Sequence, residues 1–108
     1  MKVIQPTQSL FITYEVEANT PEGRVVRSET QAIPRLGEVI GWSVGEFKTP
    51  GNPTELVRGV KISFDRSRLQ DRQTESSRLA PLRFDELVPV PPSADNIQLR
   101  FPEIQEHP

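Results

Sequence analysis

Leu10-Phe11-Ile12-Thr13-Tyr14-Glu15-Val16-Glu17-Ala18 decides the fold class. Leu10, Ile12, Tyr14, Val16 and Ala18 share one face of an extended chain, and Phe11, Thr13, Glu15 and Glu17 share the other. Side chains alternate along a strand, so this period of two predicts a strand with one buried face. Asn19-Thr20-Pro21-Glu22-Gly23 follows, with Pro to preset φ and Gly to supply a positive φ. A second extended run, Arg24 to Ile33, carries Val25 and Val26 near its start. Two such runs joined by a short Pro/Gly loop predict an antiparallel hairpin.

Downstream, Pro34-Arg35-Leu36-Gly37 breaks the run, and Glu38 to Phe47 forms the next strand. Ile40, Trp42 and Val44 share one of its faces, while Gly37, Val39, Gly41, Ser43, Gly45 and Phe47 fall on the other. Glycine weakens a strand, so this spacing predicts a bulge, a sharp bend or close approach of another backbone. Thr49-Pro50-Gly51-Asn52-Pro53-Thr54 reads as a loop. Val57 to Phe64 is a further strand, with Val60, Ile62 and Phe64 inward and Lys61 and Ser63 outward. Residues 1–64 therefore read as a compact β unit of four strands, with a fifth if Lys2 to Gln5 pairs.

Residues 65–108 have a different character. Asp65 to Leu79 is polar and charged. Capping-box spacing of Ser67 and Gln70 permits a short helix there, with a loop as the alternative. Phe84-Asp85-Glu86-Leu87 is read as a single helical turn, and Val88-Pro89-Val90-Pro91-Pro92 as extended chain close to polyproline II. Asn96 to Phe101 alternates Ile97, Leu99 and Phe101 with Gln98 and Arg100, a last strand that Pro102 ends at a sheet edge. The expected fold is mainly β: a small twisted antiparallel sheet or partly open SH3-like barrel, with an irregular, Pro-rich C-terminal extension.

Ile33-Pro34-Arg35-Leu36-Gly37-Glu38-Val39-Ile40 resembles a turn of small bacterial and prophage β-domains with SH3-like barrels, where a Pro-Arg-x-Gly-Glu run leads from a hairpin into the next strand. The preceding hairpin and Val60-Lys61-Ile62-Ser63-Phe64 fit that order, so the resemblance covers at most residues 9–64. It implies the barrel architecture and transfers no functional residue.

Composition limits function. The chain has 108 residues, which predicts one domain. Its 13 basic and 15 acidic residues nearly balance, whereas non-specific nucleic-acid binding needs a basic field. The balance is uneven locally: residues 65–83 carry five Arg against three acids, and residues 84–108 one Arg against five acids. A solvated surface accounts for this layout; an acidic tail folded on the Arg-rich segment, or docked on a basic partner, is the alternative. There is no Cys, which excludes thiolate metal sites and disulfides, and the single His, His107, stands next to the last residue. No apolar run approaches a membrane span, and Met1 to Pro6 lacks the apolar stretch of a signal peptide. A cytoplasmic protein without membrane contact is expected.

Carboxylates are the remaining catalytic groups. Glu15 and Glu17 share a strand face roughly 7 Å apart by strand rise, near the separation that retaining glycosidases use; a solvated strand face carries such pairs routinely. No phosphate-binding loop, nucleophile elbow or EF-hand spacing occurs. No enzyme activity, cofactor or metal is therefore expected.

Trp42 among its glycines is either a platform for a peptide or a base, or a core residue between Ile40 and Val44, the latter being favoured. Pro89-Val90-Pro91-Pro92 satisfies P-x-x-P and is either a ligand for SH3-type domains or, more often, a stiff connector. Residues 88–101 could instead act as an arm that adds a strand to a neighbouring copy. The expected function is a non-enzymatic protein-interaction or assembly module of bacterial or phage-like character. Its partner-binding candidates are Trp42, Arg35, Pro89, Pro91, Pro92 and Phe101, and its partner is another protein or a second copy held through the C-terminal arm. The alternative is a small-barrel nucleic-acid-binding accessory protein using Trp42 with Arg24, Arg27 and Arg35; Glu22, Glu29 and Glu38 interleave with these and weaken that field.

Overall fold

A computed structural model describes residues 3–4, 8–49, 51–68 and 81–102. They form seven strands: β1 (Val3–Ile4), β2 (Leu10–Thr20), β3 (Gly23–Ile33), β4 (Gly37–Thr49), β5 (Asn52–Asp65), β6 (Arg83–Pro89) and β7 (Asp95–Arg100). All paired strands are antiparallel. They build a four-stranded sheet in the order β1-β4-β5-β6 and a three-stranded sheet in the order β3-β2-β7. The mainly β reading holds as two twisted antiparallel sheets. These share no strand and do not close into a barrel.

The alternation of β2 produces this arrangement directly. Leu10, Ile12, Tyr14 and Val16 are buried and face Val60, Ile62 and Phe64 of β5, also buried, across one apolar core. Ile4, Ile33, Val39, Val88, Val90 and Ala94 complete it. Phe64 is fully buried and stacks on Phe84 of the adjacent β6, ring centroids 5.2 Å apart and planes 13° apart. Offset stacking of this kind stabilises beyond simple area burial.

The hairpin of β2 and β3 turns through Pro21 and Glu22, with Thr20 opposite Gly23, whose φ is +119°. The chain then crosses to the other sheet through Pro34-Arg35-Leu36 and enters β4 at Gly37, φ +135°. A Cβ at Gly37 would lie 2.9 Å from the Asp65 carbonyl oxygen, so this position needs glycine both for conformation and for space. The predicted bulge is present: the β4–β5 register shifts between Val39 and Gly41, which leaves Ile40 as the extra residue. The predicted loop at Thr49–Thr54 is shorter than read, because β5 resumes pairing at Asn52, opposite Thr49.

Residues 83–100 differ most from expectation. Phe84-Asp85-Glu86-Leu87 is not a helical turn but the body of β6, paired with Ile62 to Phe64 and their neighbours on β5. Val88 and Pro89 complete that strand, so only Val90 to Ala94 remain as connector. Val90 N–H donates to the Arg58 carbonyl (3.0 Å), Ala94 N–H to the Pro91 carbonyl (2.9 Å), and Arg58 Nη2 to the Ala94 carbonyl (3.2 Å). This clamped turn carries the chain back to the first sheet, where β7 pairs with β2 at an edge, as predicted. Asp65 ends β5, Ser67 and Arg68 form a turn, and most of the short helix considered for Asp65 to Leu79 lies outside the described residues.

Candidate functional site

Strand β4 has two unlike halves. Gly37 and Glu38 pair with β1 on one side, but among the described residues nothing covers that side from Ile40 to Thr49. On its other side β4 pairs with β5 almost throughout. A row of backbone N–H and C=O groups is thus left as a template for another strand.

From Ile40 to Gly45 the side chains along this edge carry no charge, and Glu46 and Lys48 follow. Trp42 lies opposite Ile62 and Val44 opposite Val60, so both project from the core face of the sheet. Ile62 and Val60 are fully buried beneath the second sheet, yet Trp42 remains 43 % exposed, Val44 41 % and Ile40 50 %. Beyond Val39 the second sheet no longer covers β4, so the favoured reading of Trp42 as a core residue is corrected: it is on the core side but at the uncovered margin. Leu56 on β5, 57 % exposed, extends the apolar surface toward the hairpin tip. Edges are usually blunted by charge or proline. Ile40-Gly41-Trp42-Ser43-Val44-Gly45 has neither, and charge enters this edge only at Glu46 and Lys48; β3 carries Arg24, Arg27 and Glu29, β6 carries Asp85, Glu86 and Pro89, and β7 carries Asp95 and Arg100.

The opposite face of this sheet holds a shallow pocket of about 260 Å³ lined by Phe47, Lys48, Lys61, Asp85 and Leu87. Lys61 Nζ lies 6.0 Å from the Phe47 ring centroid and 3.6 Å from Asp85, which also accepts from Ser63 Oγ at 2.7 Å.

The remaining predicted binding residues are dispersed. Arg35, in the first crossover, donates from Nε to Glu86 (3.0 Å) and from Nη1 to the Pro34 carbonyl (2.9 Å). Pro89 ends β6 and its carbonyl accepts from Gln31 Nε2 (3.2 Å). Pro91 and Pro92 belong to the clamped turn, and Phe101 packs half-buried against the core beyond β7. Only Trp42 of the six stands on the free edge. Its neighbours Ile40 and Val44 were not singled out as binding residues; the signal available was the uncharged run from 40 to 45.

The arginines proposed for nucleic acid are paired with carboxylates: Arg24 with Glu17, Arg27 with Glu29 (3.4 Å) and Arg35 with Glu86 (3.0 Å). Glu15, the other member of the carboxylate pair, accepts from Asn96 Nδ2 at 2.8 Å. Glu15 and Asn96 border a polar groove of about 350 Å³ on the outer face of the three-stranded sheet, with Thr13, Thr30, Gln98 and Arg100. Among the described residues no three His, Asp or Glu side chains converge as a metal set, and no helix is long and apolar enough to cross a membrane. No protein-family model, curated protein or solved structure matches the chain.

Proposed function

We propose that this chain is a non-enzymatic protein-interaction or assembly module that binds a protein partner at the free edge of β4. The observation that carries this reading is the uncharged edge from Ile40 to Gly45, uncovered among the described residues, with half-exposed Ile40, Trp42 and Val44 beside it. An extended partner segment would satisfy the backbone groups, and the apolar side chains would supply burial. Self-association through the C-terminal arm has less support, because β7 is already paired with β2 of its own chain. The proposal places the module in the cytoplasm, where a chain without cysteine has no disulfide to lose.

A photoreactive benzophenone at position 42 tests it, with position 28 on the outer face of the three-stranded sheet as control. The expected result is a protein adduct of discrete mass from position 42 and none from position 28. Equal labelling from both positions, or no adduct from either, overturns the reading. If the protein instead retards single-stranded nucleic acid with affinity that falls steeply as salt rises, the nucleic-acid alternative takes its place.

A further inference from the structure

Resting on the interaction reading above, we infer that the occupant of the β4 edge is a second copy of this chain, paired antiparallel with its own β4 across a two-fold axis at Val44.

A two-fold pairing of one strand with itself must keep like faces together, so its axis falls on a residue. Leaving aside an axis at Glu46, which sets two carboxylates against each other, three axes place the free segment against itself, and the structure separates them. An axis at Ser43 sets Gly41 against Gly45 and carries Phe47 of the second copy to Val39, on the far side of the bulge and on the opposite face. An axis at Gly45 sets Gly45 against Gly45 and Ser43 against Phe47, which leaves Gly41 without an aromatic cover. An axis at Val44 pairs Gly41 with Phe47 and the residues between them, all beyond β1 and the bulge, and avoids both faults.

That register is also self-complementary on each face. On the outer face it sets Phe47 of each copy opposite Gly41 of the other. Space at Gly41 is open, with nothing within 4 Å of where a Cβ would be, and an aromatic ring opposite a glycine covers its bare backbone. On the core face Val44 meets Val44, and Trp42 meets Glu46. Among the described residues neither the Trp42 nor the Glu46 side chain has a polar partner within the chain. The indole N–H is a donor only and the carboxylate an acceptor only, so each supplies what the other lacks. The result is one continuous sheet across the axis, with the half-exposed Trp42 and Val44 of both copies side by side. An edge contact of this length is at the small end of stable interfaces, which bury roughly 1,200–2,000 Å², so the equilibrium depends on concentration.

Light-scattering mass of the full chain from about 1 μM to about 1 mM should rise from 12.2 kDa toward twice that value. The chain has no cysteine, so single replacements are unambiguous. The axis brings the two Cα atoms of residue 44 to about 4.5–5.5 Å, within disulfide range. Mild oxidation of the Val44→Cys variant should therefore give a covalent dimer, while Ser28→Cys, on the outer face of the other sheet, stays monomeric. Val44→Lys, which sets two ammonium groups against each other, should raise the dissociation constant at least tenfold. Phe47→Ala should raise it severalfold without adding charge, with unchanged far-UV circular dichroism in both variants. A constant mass of 12.2 kDa overturns the inference, as does a dimer unaffected by both substitutions or one that crosslinks equally through position 28. If such a monomer still forms an adduct from position 42 with a different protein, the second copy is overturned and the interaction reading stands; no adduct at all overturns both.

Discussion

Gln31 on β3 reaches the Pro89 carbonyl at the end of β6, with its Nε2 3.2 Å away, and so ties the three-stranded sheet to the four-stranded one. The same nitrogen donates to the Tyr14 hydroxyl at 2.9 Å, and that hydroxyl donates to Glu29 at 3.2 Å. Gln31 therefore joins a polar seam along the rim of an otherwise apolar core. Replacing it with Ala removes both donations while solvent reaches the vacated acceptors, so the expected cost is about 1 kcal/mol, read as a lower urea midpoint with an unchanged slope.

Gly37 should be far less tolerant. Alanine there meets the Asp65 carbonyl oxygen at 2.9 Å and must hold φ at +135°. Backbone strain of this kind costs about 1–3 kcal/mol before the clash is counted. Gly41→Ala, on the same strand in open space, should stay within about 1 kcal/mol of the parent. Thermal melts of the two variants side by side make the comparison; equal losses would contradict it.

Phe64 carries the largest single share of the core. It is fully buried between the sheets and stacked on Phe84. Phe64→Ala should cost about 3–5 kcal/mol, which is a large part of the stability of a domain this small. Ile62→Val, which removes one methyl from the same face, should cost about 0.5–1.5 kcal/mol. Equilibrium denaturation should rank the two in that order.

Acid sensitivity should centre on Asp65. The Ser67 hydroxyl and its backbone N–H, with Arg83 beyond them, hold this carboxyl below the usual aspartate range. Ser67 N–H donates to Oδ1 at 2.8 Å, and Arg83 Nε lies 3.2 Å from Oδ2. A depressed folded-state pKa gives stability that is present above the ordinary aspartate value and lost as pH falls through the lowered one. Asp65→Asn should therefore flatten the stability profile below about pH 4 and leave its shape near neutrality unchanged. Denaturant titrations at several acidic pH values test this.

Alternation made β2 legible because every inward residue from Leu10 to Val16 is apolar and covered. β6 was hidden by an inversion of the same rule. Glu86 lies opposite Ile62, on the core face, and Leu87 opposite Lys61, on the outer face. Each exception has a local cause: β6 is an edge strand, so Glu86 can reach Arg35 at the rim, and Leu87 lies over the bare position of Gly59, with its Cδ1 3.1 Å from where a Cβ would be. Neither cause is local in sequence. Trp42 shows a second limit. Its pattern with Val44 gives the face, but the bulge at Ile40 inverts the alternation and puts Val39, expected on the opposite face, in the core against Phe64; exposure depends in turn on where the opposite sheet ends, which no periodicity in β4 records. Arg35 stands in the first crossover, Pro89 at the end of β6, Pro91 and Pro92 in the clamped turn and Phe101 beyond β7, and none of the five lies on the β4 edge with Trp42.

The strand order also has a consequence during synthesis. β2 and β5 each find one neighbour early, within hairpins, and the other only when residues 83–100 arrive. Until those residues leave the ribosome, the nascent polypeptide presents two incomplete sheets with Phe64 and Ile12 poorly sheltered. Late, sequence-distant pairing is slow and leaves intermediates prone to aggregation. A ribosome stalled just before Arg83 should therefore hold a chaperone-binding, protease-sensitive chain, and release past Arg100 should convert it to a resistant one.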